Sequence, residues 1–263
     1  MSTGVHGPTR ARIEEKTLRT DRWRIYPFTT FIVFTAFVIY ATIRAFMGSH
    51  YYTQPYLSPL YSPCLGDCVK GSSDFGQPFG WWPLSAALIV LIFPLGFRMS
   101  CYYYRKAYYR AFWMSPPACA VAEPHSAYSG ERKLPLILNN LHRYALYLAL
   151  ILNVVLTLDA VLAFKTPGGT WGYLGLGTLI LTANAVALWL YTLSCHSCRN
   201  ITAGRITHFS KHPLRYKAWT FVSKINEHHM LYAWISLCTV VLADFYVYLL
   251  ASGRISDLVF FSA

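Results

Sequence analysis

Five apolar stretches, each long enough to cross a lipid bilayer, decide what this chain can fold into. They run about Ile25–Met47, Trp81–Tyr104, Asn140–Phe164, Trp171–Ser194 and His229–Ala251. A helix rises about 1.5 Å per residue, so roughly 20 apolar residues match the hydrocarbon thickness of a membrane. Lipid offers the backbone no hydrogen bonds, and runs of this length satisfy their own N–H and C=O groups only as helices. Composition agrees: 55% of residues are hydrophobic and 13% charged, where a soluble domain carries about a quarter charged. The sequence therefore predicts an all-α integral membrane protein. Five transmembrane helices form a bundle over residues 25–251, between a polar tail at 1–24 and a short tail at 252–263. The first 24 residues are polar and charged, and the first apolar run is long enough to stay as an anchor, so no cleavable signal peptide is expected.

Charge sets the orientation. Lys and Arg number six in residues 1–24, six from Arg98 to Lys133 and six from Arg199 to Lys224, while the alternate ends hold only Lys70, Lys165 and Arg254. Positive residues gather on the cytoplasmic side of a membrane. The N-terminus is thus expected inside and the C-terminus outside, in a multi-pass protein of a bacterial plasma membrane. The net charge of +12 then reflects topology and attraction to anionic lipid rather than nucleic-acid binding. Cys64 and Cys68 fall in the first outer loop, where a disulfide can persist, although two separate thiols fit the spacing as well.

The loop at about 105–139 interleaves aromatic and basic residues (Tyr102, Tyr103, Tyr104, Arg105, Lys106, Tyr108, Tyr109, Arg110). This reads as the second helix continuing into the headgroup layer, or as a docking surface for a cytoplasmic partner. Chemistry concentrates on the inner side. Cys195 and Cys198 lie where the fourth span meets a basic loop, three residues apart and so able to share one helix face. His142 opens the third span and His228 and His229 open the fifth, so these donors share one membrane face. Two thiols and two imidazoles suit a tetrahedral zinc site, or a [2Fe–2S] cluster with Cys on one iron and His on the other. His142 with His228 or His229 would equally serve haem b. Cys101, Cys119 and Cys238 have no evident partners and read as small buried residues. On the outer side, Arg44, Asp159 and Asp244 lie within spans and His50 follows just beyond. Such groups bind a quinone head group, pass protons, or form an ion pair between helices.

The run Leu138-Asn139-Asn140-Leu141-His142-Arg143-Tyr144, the aromatic-basic loop before it, and the segments Cys195-His196-Ser197-Cys198 and Glu227-His228-His229 resemble the membrane anchor of succinate dehydrogenases (complex II). The likeness covers essentially the whole chain and is nearest to the single-subunit, five-helix, haem-free branch. It implies a Rieske-like [2Fe–2S] cluster with Cys195 and Cys198 as thiolate ligands and His142 with His229, or else His228, as imidazole ligands. It also implies an iron–sulfur subunit that delivers electrons, and through it a flavoprotein subunit where succinate is oxidised. Membrane quinone is then the acceptor, with Tyr232, Arg215, Tyr216 and Trp219 as inner-side candidates to hold it. Arg44, His50, Asp159 and Asp244 are candidates for an outer quinone site. A haem b anchor of the same complex, or a zinc-stabilised scaffold without redox role, are the alternatives.

Overall fold

The coordinates are a computed structural model describing residues 17, 19–65, 81, 85, 87–114, 117–122, 124, 125, 132–134, 136–204 and 206–263. Most of the N-terminal tail, Cys68 and part of the start of the expected second span lie outside the described residues. Eight α-helices are described: α1 Ile25–Met47, α2 Ala87–Ser100, α3 Lys106–Tyr109, α4 His142–Leu162, α5 Leu176–Leu193, α6 His196–Ala203, α7 Pro213–Asn226 and α8 His229–Ala251. Among the described residues, four helical segments are long and apolar enough to cross a membrane: Ile25–Met47, Leu136–Leu162 (α4 with the 3-10 turn that leads into it), Leu176–Leu193 and His229–Ala251. α2 is apolar but shorter, at 14 residues, or about 21 Å of rise. The expected second span, Trp81–Tyr104, is therefore described as helix only over Ala87–Ser100.

The chain divides into two compact units, residues 1–39 with 96–142, and residues 40–95 with 143–263. In the first unit, aromatic packing replaces the expected continuation of the second helix. α2 stops at Ser100, and the chain turns through Cys101 to Arg105 before the single turn of α3. The ring of Tyr104 stacks on Phe34 at 5.0 Å and its hydroxyl accepts from Arg98 Nη1 at 2.7 Å. Both side chains are buried, so the tyrosine run is drawn inward rather than along a lengthened helix. Lys106 is buried too, with its ammonium 4.4 Å from the Tyr26 ring and 5.2 Å from that of Tyr102. Burial, with Arg110 and Arg105 nearby, pushes that ammonium down to about 8. Of the cysteines expected to be buried, Cys101 is, whereas Cys119 and Cys238 are exposed.

In the second unit a core of small and aromatic residues joins three helices: Ala160 of α4 with Ala163 just beyond it, Leu181 and Ala185 of α5, and Ala243 and Val247 of α8, with Tyr56 and Tyr173 from the segments between them. Small side chains let helix backbones approach closely where lipid supplies no hydrophobic drive between helices. The opposite stripe of α4 (Leu148, Ile151, Val154, Leu158) is exposed. That 3–4 spacing is the face a spanning helix offers to acyl chains.

The structure is mostly helical, consistent with the expected all-α membrane protein, and carries short strands in its loops. Two small antiparallel sheets are present, β1 (Tyr52–Thr53) with β2 (Tyr56–Leu57), and β3 (Tyr173–Gly175) with β4 (Val259–Ser262). The span expected from Trp171 accordingly begins as a helix only at Leu176. Gly172 explains part of this: its φ is +107°, and a Cβ there would lie 2.7 Å from that of Ala263, so only glycine admits the returning C-terminal strand. Cys64 is disulfide-bonded.

Asp257 ties this sheet to the helices. Its carboxylate accepts from the hydroxyls of Tyr56 at 2.5 Å, Tyr246 at 2.6 Å and Tyr173 at 2.9 Å, and from the Gly177 N–H at 3.1 Å in the first turn of α5. Burial by itself would raise the Asp257 carboxyl, but the Tyr246, Tyr56, Gly177 and Tyr173 donors outweigh it and hold it below the usual carboxylate range. Hydrogen bonds to a charged group stabilise by about 1.5–3 kcal/mol each, toward the low end at a partly exposed site. Asp257→Ala is therefore expected to speed hydrogen exchange of β3 and β4 amides at least about tenfold. Because the folded pKa is depressed, the contribution is complete above the unfolded value of about 3.9 and fades only as pH falls through the lower folded value. Exchange protection measured between pH 7 and pH 5 should thus show no loss from this latch.

Candidate functional site

α5 ends at Ser194, and Cys195 caps the next helix, α6. The CxxC segment therefore opens a new helix instead of finishing the fourth span. In the Cys195 cap the sulfur accepts from the Ser197 N–H at 3.3 Å. Cys198 lies one turn on, half-buried, and burial pushes its thiol up, partly countered by Thr202.

His229 begins α8 and is 2% exposed, while His228 caps the helix and faces outward. Of the adjacent pair, His229 is the one enclosed by protein. Its Nδ1 lies 2.7 Å from Ser194 Oγ, and its ring stacks on Tyr191 at 5.2 Å and 9°. The Ser194 hydroxyl donates to the Tyr191 carbonyl at 3.1 Å. A hydroxyl has one hydrogen to give, so Ser194 can serve the Tyr191 carbonyl as donor and the imidazole as acceptor at once. With the serine hydrogen on the Tyr191 carbonyl the proton sits on Nδ1 and the lone pair on Nε2, the tautomer in which an outer partner prepares a metal-binding histidine. Asn226 donates to the Ser194 carbonyl and holds the corner between α7 and α5.

Next to this corner is a cavity of about 350 Å³, lined by His196, Arg199, Asn200, Ala203, Gly204, Phe209 and Trp219. The His196 ring lies 6.5 Å from that of His229, so one wall of the cavity touches the enclosed imidazole. Arg199 is pinned by its Nε–H to Ser223 Oγ at 2.8 Å and lies 4.9 Å over the Trp219 ring. Trp219 stacks on Tyr216, and both contact Phe209. Of the inner-side quinone candidates, Trp219 lines the cavity and Tyr216 backs it. Arg215 is exposed and donates to the Thr202 carbonyl, and Tyr232 packs near His228.

His142 belongs to the other unit, where its Nδ1 is 3.0 Å from Ser100 Oγ and its ring lies on Phe97 at 4.7 Å and 4°. Among the described residues no group of three or more His, Cys, Asp or Glu side chains is gathered closely enough to hold a metal ion. The donors still suit an iron–sulfur or zinc centre in chemistry, with a helix-capping sulfur and a hydrogen-bonded imidazole enclosed at one corner.

The outer group is a closed ion pair. Arg44 Nε donates to Asp244 Oδ2 at 2.8 Å and Nη2 to Oδ1 at 3.3 Å, with both side chains buried. Tyr40 and Ser58 hydroxyls complete the Asp244 shell, and Arg44 also reaches the Ser49 and His50 carbonyls. Asp159 accepts from Ser62, and His50 Nδ1 lies 3.3 Å from the Ala251 carbonyl. This geometry favours the structural pair over an open quinone site.

Tyr40, Ser58, Ser100, Ser194 and Asp257 went unread in the sequence, because a lone hydroxyl or tail carboxylate carries no spacing signal. Arg199 and Asn200 were legible only as part of a basic loop. Removing one partner of a buried ion pair costs on the order of 3–5 kcal/mol. Asp244→Ala should therefore sharply reduce the yield of folded, membrane-inserted chain, and the double change Arg44→Met with Asp244→Leu should recover much of it. Detergent-solubilised yield and Tm check this.

A model of the actinobacterial succinate dehydrogenase subunit SdhC matches residues 25–253. A chain of the Mycobacterium smegmatis Sdh1 complex in the apo form is 56% identical, with a TM-score of 0.83 and 98% of each chain covered. No curated protein matches the chain. On the breadth of the family match and the identity to that chain, this chain belongs to the actinobacterial succinate dehydrogenase SdhC family and is a multi-pass membrane subunit of that oxidoreductase complex.

Proposed function

We propose that this subunit passes electrons from a partner iron–sulfur subunit, through a [2Fe–2S] centre at the inner membrane face, to quinone in the cavity beside His196 and Trp219. The observation that carries this is the Ser194–His229 contact next to the capping sulfur of Cys195. Nothing in the sequence provides a flavin or dicarboxylate site, so succinate is oxidised on partner subunits. Five spans with the N-terminus inside follow from the sequence pattern and the positive-inside charge distribution.

Cys195 and His229 are the first two ligands. His142 joins them on the strength of the sequence resemblance and of its own Ser100 contact. The second thiolate is Cys198 on the CxxC spacing. When bound, the centre supplies one-electron transfer, and its imidazole ligands raise the potential.

The protein's part is binding and orientation. Burial of His229 and Cys195 keeps water from their donor atoms. Trp219 and Phe209 offer aromatic faces of the size a quinone ring needs, and Arg199 and Asn200 offer donors that stabilise charge developing on a quinone oxygen.

Purified complex should hold about two more iron and two more acid-labile sulfide per copy than its soluble subunits hold. Cys195→Ala or His229→Ala should remove that increment. Succinate–quinone turnover should fall at least about 100-fold, while succinate oxidation by a soluble dye survives. Reduced-minus-oxidised bands of b haem, or zinc without iron, would overturn the reading. For the cavity, Trp219→Ala removes a stacking face worth about 1–2 kcal/mol. The expected result is a quinone KM raised roughly 5–30-fold with kcat changed much less, read in steady-state kinetics.

A further inference from the structure

The segment between α5 and α8 holds a helix whose two faces differ. On one face of α7, Val222 is buried, Trp219 lines the cavity and Ser223 Oγ accepts from Arg199 Nε at 2.8 Å. On another face lie Leu214, Ala218, Phe221 and Ile225. Their spacing of four, three and four residues puts them in one stripe along the helix. Leu214 is 80% and Phe221 58% exposed, and Ala218 is exposed as well. No described part of this chain covers the stripe.

The helix is tied to the membrane boundary. α5 ends at Leu193, α8 begins at His229, and both are long and apolar enough to span a bilayer. Asn226, in the last turn of α7, donates to the Ser194 carbonyl just past α5. Only Glu227 and His228 separate α7 from α8. α8 in turn presents Leu231, Ile235, Cys238, Leu242 and Phe245 outward, at the four-three spacing of a face turned to acyl chains. The last turn of α7 thus sits at the depth where the lipid-facing side of α8 begins.

Charge indicates what covers the stripe. From Cys195 to His229 the chain has six Lys and Arg (Arg199, Arg205, Lys211, Arg215, Lys217 and Lys224) and one acidic residue, Glu227. Lys217 and Lys224 run along one edge of the stripe, exposed, and among the described residues neither pairs with a carboxylate. Lysine stems lie along apolar surface while their ammonium groups reach a polar layer. A Leu and Phe stripe edged by lysines is the pattern of a helix that lies in the membrane interface. We propose that α7 lies in the headgroup layer of the leaflet where α5 ends. Leu214, Ala218, Phe221 and Ile225 enter the acyl boundary, and Lys217 and Lys224 meet the phosphates of anionic phospholipid. Because Trp219 is on the same helix, this grip also holds one wall of the cavity. The proposal stands independently of the redox centre.

The test uses the intact complex, purified with its partner subunits and placed in nanodiscs of phosphatidylglycerol and phosphatidylcholine in equal amounts. Leu214 or Phe221 is replaced, one at a time, by photoreactive benzoylphenylalanine, with the same replacement of Ile235 on α8 as the lipid-facing reference. Irradiation should attach phospholipid at all three positions, read by mass spectrometry. At positions 214 and 221 phosphatidylglycerol should exceed phosphatidylcholine at least about fivefold, the effect of roughly one surface lysine. Lys217→Gln with Lys224→Gln should bring that ratio close to equality and leave attachment at position 235 unchanged.

Attachment of positions 214 and 221 to a partner subunit, or to a second copy of this chain, overturns the proposal and makes the stripe a protein interface. Lipid captured at position 235 but at neither position of α7 overturns it as well, and leaves the helix in water. Equal capture of the two lipids by the unsubstituted lysines overturns the preference for anionic lipid. A complex that captures lipid at α7 yet lacks the added iron and sulfide sinks the [2Fe–2S] reading and leaves this one standing.

Discussion

Hydrocarbon offers no hydrogen bonds, so every polar side chain carried into these helices has to find its partner within the protein. Arg44 meets that demand with Asp244, Asn153 with Thr192 and the Leu188 carbonyl, and His229 with Ser194. Each partnership fixes a geometry as well as an energy. A guanidinium fork holds α1 against α8, an amide holds α4 against α5, and a hydroxyl meets Nδ1 of a buried imidazole. The functional corner is one more instance of a demand that shapes the whole transmembrane region.

The two ends of the second unit answer that demand differently. At one end the donors and acceptors are matched into closed sets, the Asp244 shell and the Asp257 latch, where three tyrosines and a helix-terminal N–H surround one carboxylate. Such sets hold loops, strands and helices in register. At the corner of α5, α6 and α8 the polar groups instead border a cavity, and the enclosed imidazole adjoins its wall through His196. Chemistry needs that second arrangement, because a reacting molecule has to enter.

Much of this was legible in the residues. Hydrophobic length marked four of the spans, since runs such as His229–Ala251 have no other stable state in lipid. Charge alternation marked their expected order across the membrane. Cys195 and His229 were singled out because thiols and imidazoles at helix ends are rare and chemically specific. What escaped was whatever depends on one atom meeting another. Tyr173–Gly175 reads as part of a helix, yet pairs as a strand with Val259–Ser262, and no local pattern announces a partner more than 80 residues away. The start of α6 at Cys195 was hidden because a capping thiol reads like any cysteine after an apolar run. Ser100 and Ser194 look like ordinary helix-end serines until each is seen against a histidine.

The central claim is that imidazole nitrogen from this subunit binds a redox centre. It is tested most directly by pulsed electron paramagnetic resonance on the reduced wild-type complex, grown with histidine labelled by ¹⁵N at both ring positions. Two strongly coupled histidine nitrogens, on a signal that disappears when this subunit is stripped from the complex, are the expected result. A full set of signals carried by the soluble subunits alone, with no histidine coupling, would contradict the account and leave this chain as the membrane tether of the complex.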